Sequence, residues 1–213
     1  MRITVYGATG EVGTRVVSEA LSRGHRVTAV SRRGDLDVDR FDSAANLSVV
    51  AADVSHSADV IATATGQDLV ISATRPRAGN EPELAATTRA ILAGLRDTGV
   101  RMIMVGGAAS LRTDNGFTLA EQPDFPQHLR PIAMACNEQL AACRNDSIVD
   151  WTYVSPPALL FPGQRTGVFR VGFDDLLVDE TGDSRISLED FAVALLNEAD
   201  NPKHRRTRFT VGY

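Results

Sequence analysis

The chain begins Met-Arg-Ile-Thr-Val-Tyr-Gly-Ala-Thr-Gly-Glu-Val-Gly, a short apolar strand that runs straight into glycines at positions 7, 10 and 13. This spacing constrains the fold because each glycine answers a different steric demand. Gly7 turns the chain sharply, Gly10 lets the backbone approach an anion with no Cβ in between, and Gly13 lets the following helix press against the strand. That helix directs its unpaired N–H groups and the positive end of its dipole at phosphate. A glycine triplet alone is a weak sign, since any tight turn collects glycine; the setting makes this one specific. Ile3 and Val5 alternate as in a strand, and Val12, Val16, Val17, Ala20 and Leu21 recur at helical spacing. Arg23-Gly24 ends the helix with a cation and a glycine, and Arg26 to Val30 follows as a second strand. The complete βαβ unit predicts a dinucleotide pyrophosphate at Gly7, Ala8, Thr9, Gly10, Glu11, Val12 and Gly13.

Strand and helix continue to alternate. Leu47 to Ala51 reads as strand three, Ala58 to Thr65 as a helix and Asp68 to Ser72 as strand four, with a polar stretch over 32–46 before strand three. Leu84, Thr88, Ile91, Leu92 and Leu95 mark a helix that Gly99 stops; Met102 to Val105 is strand five, Ile132 to Arg144 a long helix and Trp151 to Val154 strand six. The expected fold class is α/β: a single-domain Rossmann doubly wound parallel sheet, order 3-2-1-4-5-6, with right-handed crossovers and a C-terminal strand at Arg208 to Val211. Residues 1–154 would form the cofactor-binding core and 155–213 a substrate-side segment of the same domain. Pro156, Pro157, Pro162, Gly163, Gly167 and Gly172 make the start of that segment irregular, and Ser187 reads as the cap of a last helix that buries Leu188, Phe191 and Leu195. Leu159, Leu160, Phe161, Phe169 and Phe173 offer apolar surface there, as core or as the cover of a substrate.

Composition excludes several classes. With 213 residues, 43% hydrophobic and 23% charged, the chain buries a large core and shows no sign of disorder. No apolar run reaches the length of a membrane span, and Arg2, inside a strand leading directly into the glycine turn, leaves no room for a signal peptide; a cytoplasmic protein is expected. Cys136 and Cys143 lie nearly two turns apart on one predicted helix, too far for a disulfide. His25, His56, His128 and His204 are scattered, so no metal site is expected. A net charge of -5 argues against nucleic acid, although Arg205, Arg206 and Arg208 are locally basic.

The end of strand two bears on the choice of cofactor. An NAD site usually places a carboxylate there for the ribose 2′-hydroxyl, and an NADP site a cation for the 2′-phosphate. This strand ends Val30-Ser31-Arg32-Arg33, which favours NADP(H), against a plain solvated pair of arginines. Asp53 has two readings, an acceptor for the adenine amino group with Val54 packed on the ring, or a turn residue. Ala73, Thr74 and Arg75 after strand four, and Gly106 and Gly107 after strand five, line the same edge.

Together, Gly7 to Gly13, Ser31-Arg32-Arg33, Asp53-Val54 and Ser155-Pro156-Pro157-Ala158 resemble the atypical short-chain dehydrogenase/reductase superfamily. The chain is most similar to its NAD(P)H-binding branch, which includes biliverdin reductase B (flavin reductase) and NmrA-like proteins. The resemblance implies pyrophosphate at the glycine turn, 2′-phosphate at Arg32 and Arg33, and nicotinamide beside Ser155, Pro156 and Pro157. It also exposes a gap. Most members use a Ser after strand five and a Tyr-x-x-x-Lys on the next helix, because reducing an isolated carbonyl needs a proton donor beside the developing alkoxide. Here Gly107, Arg130 and Met134 stand at those positions. Ser110 is the only nearby hydroxyl, a weak acid that equally suits a turn cap. Hydride transfer to a flavin, quinone or other conjugated acceptor needs no such donor, since charge spreads over the acceptor and solvent supplies the proton. Phe117 and Phe125, in the loop over 111–126, are candidates for an opposite wall of the acceptor site, and Arg75, Arg77, Arg130 or Arg165 for an anionic substituent. The expectation is an NADPH-dependent reductase of a small aromatic or conjugated molecule, monomeric or homodimeric, without nucleic-acid or membrane partners. The alternative is a non-catalytic NmrA-like redox sensor.

Overall fold

The computed structural model describes residues 1–41 and 44–213; positions 42 and 43, within the polar stretch read over 32–46, lie outside the described residues. The first half alternates as the pattern requires: β1 (Arg2–Tyr6), α1 (Glu11–Ser22), β2 (Arg26–Ser31), β3 (Leu47–Ala51), α2 (Ser57–Ala64), β4 (Leu69–Ser72), α3 (Glu83–Thr98), β5 (Arg101–Val105), α4 (Arg130–Arg144) and β6 (Trp151–Ser155). The remainder adds β7 (Leu159–Phe161), β8 (Arg170–Gly172), β9 (Arg185–Ser187), α5 (Leu188–Asp200) and β10 (Thr207–Gly212). The main sheet runs β3-β2-β1-β4-β5-β6-β10-β8, the doubly wound order 3-2-1-4-5-6 extended by the C-terminal strand. Every pairing in it is parallel except that of β8, which lies antiparallel on β10. β7 and β9 form a separate parallel pair.

Central parallel strands are covered on both faces, which is why they read as unbroken apolar runs. In β4 Leu69 and Ile71 face one layer and Val70 the other. On the first face Val16, Val17 and Ala20 of α1 meet Phe191, Leu195 and Leu196 of α5; on the second, Val60 of α2 and Ile91 and Leu95 of α3 pack with Met102, Met104 and Tyr153. Each fully buried aliphatic side chain of this kind contributes about 1.5–3 kcal/mol. Two helix ends behave as expected: Gly99 closes α3 at φ 68° with its N–H on the Leu95 carbonyl, and the Ser187 hydroxyl accepts the Asp190 N–H at 3.0 Å at the start of α5.

The irregular segment after β6 has a definite seat. Leu160 and Phe169 pack against the layer of α1 and α5, so they are core. Between them, backbone and side chain are held by carboxylates of those helices: Gly163 N–H donates to Glu189 at 2.8 Å, Thr166 and Gly167 N–H to Asp190 at 2.8 and 2.7 Å, and Arg165 pairs with Glu19 at 2.7 Å. Phe173 sets its edge against His204, on the chain leading into β10, with ring centres 5.8 Å apart. It therefore belongs to the opposite end of that strand from the carboxyl edge of the sheet.

Candidate functional site

The glycine turn at the carboxyl end of β1 has the steric character its spacing implies. Gly7 sits at φ +73°, and a Cβ there would lie 2.6 Å from the Ala73 carbonyl oxygen; a Cβ on Gly13 would lie 2.1 Å from the oxygen of Gly7. Neither position accepts a side chain. Gly10 differs: its backbone is extended and a Cβ would meet only the Gly7 oxygen, at 3.3 Å, so what it leaves open is the outer side of the turn. Thr14 locks the loop from beneath, its hydroxyl within hydrogen-bond reach of the Ala8 and Gly10 carbonyls at 3.1 and 2.9 Å. Sequence reasoning missed Thr14. No side chain caps α1, so the N–H groups of its first turn, at Glu11, Val12 and Gly13, are directed at whatever anion the turn receives. The Glu11 carboxylate is turned to Arg15 at 2.9 Å, and Ala8 is buried beneath the turn.

Beside this turn lies a crevice of about 340 Å³, lined by Gly7, Thr9 and Gly10, by Ser31 and Arg32 at the end of β2, by Asp53 and Val54 after β3, and by Ala73, Thr74 and Arg75 after β4. Of the two adjacent arginines, the crevice takes Arg32 alone. Arg33 is exposed and paired with Asp35 at 2.7 Å. Asp53 has both of its expected features: its Oδ1 accepts the Ser55 N–H and hydroxyl, as a turn residue does, while the residue still borders the crevice. The Ser55 hydrogen bonds, with a smaller contribution from Arg32, hold its carboxyl below the ordinary value. The far wall comes from the loop after β4 and from α3: Arg77, read from sequence only as a candidate for an anionic substituent, stands there with Asn80, Glu83, Leu84 and Thr87, whose place in the crevice was not read. The repeated arginine in Arg75-Pro76-Arg77, immediately past a strand end, was the signal in the sequence for this wall. A separate open groove of about 400 Å³ between α3 and α4, lined by Arg89, Arg96 and Glu138, lies on the outer faces of those helices, away from the strand ends.

Further along the carboxyl edge stand Gly106 and Gly107 after β5, and Ser155, Pro156 and Pro157 at the end of β6. Both glycines have an internal reason. A Cβ on Gly106 would lie 2.0 Å from the Tyr153 ring, and one on Gly107 would lie 2.8 Å from the Cys136 Cβ. The Tyr153 hydroxyl accepts the Gly107 N–H at 3.3 Å and lies 3.0 Å from the Cys136 carbonyl and 3.1 Å from Gln139 Oε1; burial pushes its pKa well up. Tyr6 and Tyr213 also hold their hydroxyls inside, on Thr63 and on Asp190 with Ser187. No tyrosine offers an acid to the crevice. Arg130 and Met134 occupy the first turns of α4, the arginine over the ring of Phe125 at 5.8 Å and the methionine exposed. The Ser110 hydroxyl accepts from Arg208 Nη1 at 2.7 Å, and Arg208 also pairs with Asp174. Ser155 is fully buried with its hydroxyl unpartnered, an orphan polar group at the end of β6. The close-packed turn at Gly7 and Gly13, the uncapped start of α1 and this hydroxyl all fit a dinucleotide.

A family model described as NAD(P)H-binding matches residues 7–199. The chain belongs to this NAD(P)H-binding family. It is 34% identical to YwnB of Bacillus subtilis over 220 residues, which span 99% of this chain and 98% of that protein. The structure of a candidate epimerase from Bacteroides thetaiotaomicron matches with a TM-score of 0.90 at 38% identity, covering 100% of this chain and 96% of the other. That of a candidate NADH-flavin reductase from Streptococcus pneumoniae matches at 0.86 and 29%, covering 100% and 99%. Among the described residues no helix of this NAD(P)H-binding protein is long and apolar enough to cross a membrane, and no group of three His, Cys, Asp or Glu side chains is arranged to hold a metal.

Proposed function

We propose that this protein is an NADPH-dependent oxidoreductase that reduces a small conjugated acceptor, such as a flavin or quinone, by direct hydride transfer with solvent as the proton source. NADPH, when bound, supplies the hydride. The residues of the chain bind and orient. The first turn of α1 at Gly10 would hold the pyrophosphate, Arg32 would meet the 2′-phosphate, Val54 would pack against adenine, and Ser155 with Pro156 and Pro157 would bound the nicotinamide. The observation that carries the reading is the combination of this crevice with the absence of an acid: Gly107, Arg130 and Met134 stand where Ser, Tyr and Lys would, and every tyrosine hydroxyl is bonded internally. Hydride transfer to an acceptor that delocalises charge is the chemistry such a site supports. The relative named a candidate NADH-flavin reductase agrees with it. The one named a candidate epimerase points to chemistry that in the wider superfamily needs the Tyr and Lys lacking here.

Mixing the protein with NADPH and FMN, or with a simple quinone, should deplete the nicotinamide absorbance at a rate proportional to protein concentration. Ser110→Ala should slow that reaction by less than about tenfold, whereas a loss of about 10²-fold or more would make Ser110 the acid. The same lack of an acid group also suits a non-catalytic redox sensor, and tight NADPH binding with no turnover across a panel of acceptors would favour that second reading.

A further inference from the structure

The loop between β4 and α3 carries a cation that the motif at β2 does not account for. In the strand order β2-β1-β4, the loops following β2 and β4 flank the glycine turn on opposite sides, and the crevice is lined by Arg32 from the first and Arg77 from the second. Arg77 is exposed on this loop and, among the described residues, makes no ion pair, whereas Arg96, Arg101, Arg165 and Arg208 all pair with acids. Acids are close by, but their hydrogen bonds go elsewhere. Glu81 accepts the Gly79 N–H at 2.9 Å, Glu83 accepts from the Asn80 side chain at 2.9 Å, and Asp53 accepts from Ser55. The loop itself is shaped by a turn in which the Asn80 N–H bonds the Arg77 carbonyl at 2.9 Å. Among the described residues the crevice is therefore lined by three cations without ion-pair partners, Arg32 from the loop after β2 and Arg75 and Arg77 from the loop after β4.

We infer that Arg77 is a second specificity-determining residue for the cofactor, gripping the adenosine 2′-phosphate from the β4–α3 loop while Arg32 grips it from β2. This rests on the NADP(H) reading given above. The pyrophosphate is served by the first turn of α1. Arg77 instead lines the crevice with Leu84 and Thr87 and with Ser31, Arg32 and Val54, the residues that the NADP(H) reading gives to adenosine. A phosphate monoester carries a charge of about -1.5 to -2 at neutral pH, so one guanidinium leaves it under-neutralised and a second completes the match.

The test compares two fragments that differ only in the 2′-phosphate, 2′,5′-ADP and 5′-AMP, by calorimetric titration of the full chain. Arg77→Ala should weaken 2′,5′-ADP by about tenfold and leave 5′-AMP within about twofold, with Arg77→Lys in between because a lysine keeps the charge but not the fork. Arg77 is exposed on a loop, so an unchanged melting temperature is expected of both variants. Equal weakening of both fragments would place Arg77 on the adenine or the 5′-phosphate and overturn the inference, as would no weakening of either. Arg32→Ala, measured in parallel, separates the two levels. If the unmodified protein prefers 2′,5′-ADP and Arg32→Ala abolishes that preference while Arg77→Ala does not, the inference about Arg77 alone fails. If the unmodified protein shows no preference, the NADP(H) reading fails with it.

Discussion

Arg32 and Arg33 are neighbours in sequence and equals in chemistry, yet the turn that follows β2 gives them different work. Arg33 folds back onto Asp35, whose carboxyl it draws below the ordinary value, while Arg32 faces the crevice. A charge-assisted contact to phosphate is worth about 1.5–3 kcal/mol, or roughly ten- to a hundredfold in affinity. Arg32→Ala should accordingly raise the dissociation constant for NADPH by at least about tenfold and leave NADH nearly unchanged, while Arg33→Ala should alter either by less than about threefold. Fluorescence titration of the four pairs checks this; a larger loss at Arg33 would reassign the 2′-phosphate. At this scale the glycines were legible in the sequence and the arginines only as a pair. Gly7 and Gly13 answer steric demands that glycine alone meets, so their spacing carries the geometry. Which of two adjacent cations faces a ligand depends on where Asp35 falls after the turn, and no local pattern encodes that. Ser110 is similar: its place after β5 was visible, but its partner Arg208 is 98 residues away.

Among the elements, those with a strong period were legible to within a few residues, from α1 to α4, because half of each helix must be apolar to cover a parallel sheet. The segment over 162–168 was legible only as irregular. Its order comes from partners on other elements, chiefly Asp190, the third residue of α5, which is fully buried and accepts the Thr166 and Gly167 N–H groups, the Thr166 hydroxyl at 2.6 Å and the Tyr213 hydroxyl at 2.8 Å. Asp190 stands in the first turn of α5, where an acid suits the helix dipole. Its larger role is to satisfy the backbone of a strap, and nothing in the local pattern shows the strap. Asp190→Ala should orphan these donors and destabilise the protein by about 3 kcal/mol, since each unpaired buried polar group costs about 1–3 kcal/mol and water reaches some of them once the strap lifts. For a chain of this size that lowers the melting temperature by roughly 5–10 °C. Limited proteolysis should cut first within 162–168 in the variant. A variant that melts like the parent would mean the strap is held by Arg165 and the apolar flanks instead.

Across the whole molecule the same kind of carboxylate joins layers that the backbone leaves apart. Glu19 of α1 reaches Arg165 in the strap, Asp146 after α4 reaches Arg96 of α3 at 2.7 Å, and Asp190 ties α5 to both the strap and the C-terminal residue. All three titrate below their ordinary values. For Glu19 the Arg165 hydrogen bond is the largest cause and outweighs burial; for Asp146 and Asp190 burial is the largest single effect and acts upward, but the donors around each carboxylate together exceed it. The sign follows from linkage. A carboxyl depressed in the native state is protonated first in the unfolded chain as pH falls, so the unfolded state binds more protons and native stability declines with acid. That stability is fully present above the unfolded values, 4.5 for Glu and 3.8 for Asp, and is lost as the pH drops through the lower native values. Because the three groups hold different layers to one another, their protonation should loosen the strap, the α3–α4 face and the α5 layer in one transition. Urea midpoints followed by circular dichroism should stay level from about pH 7 to 5 and fall steadily below about pH 4.5. A midpoint already falling between about pH 7 and 6 would mean that these three carboxylates do not control the transition.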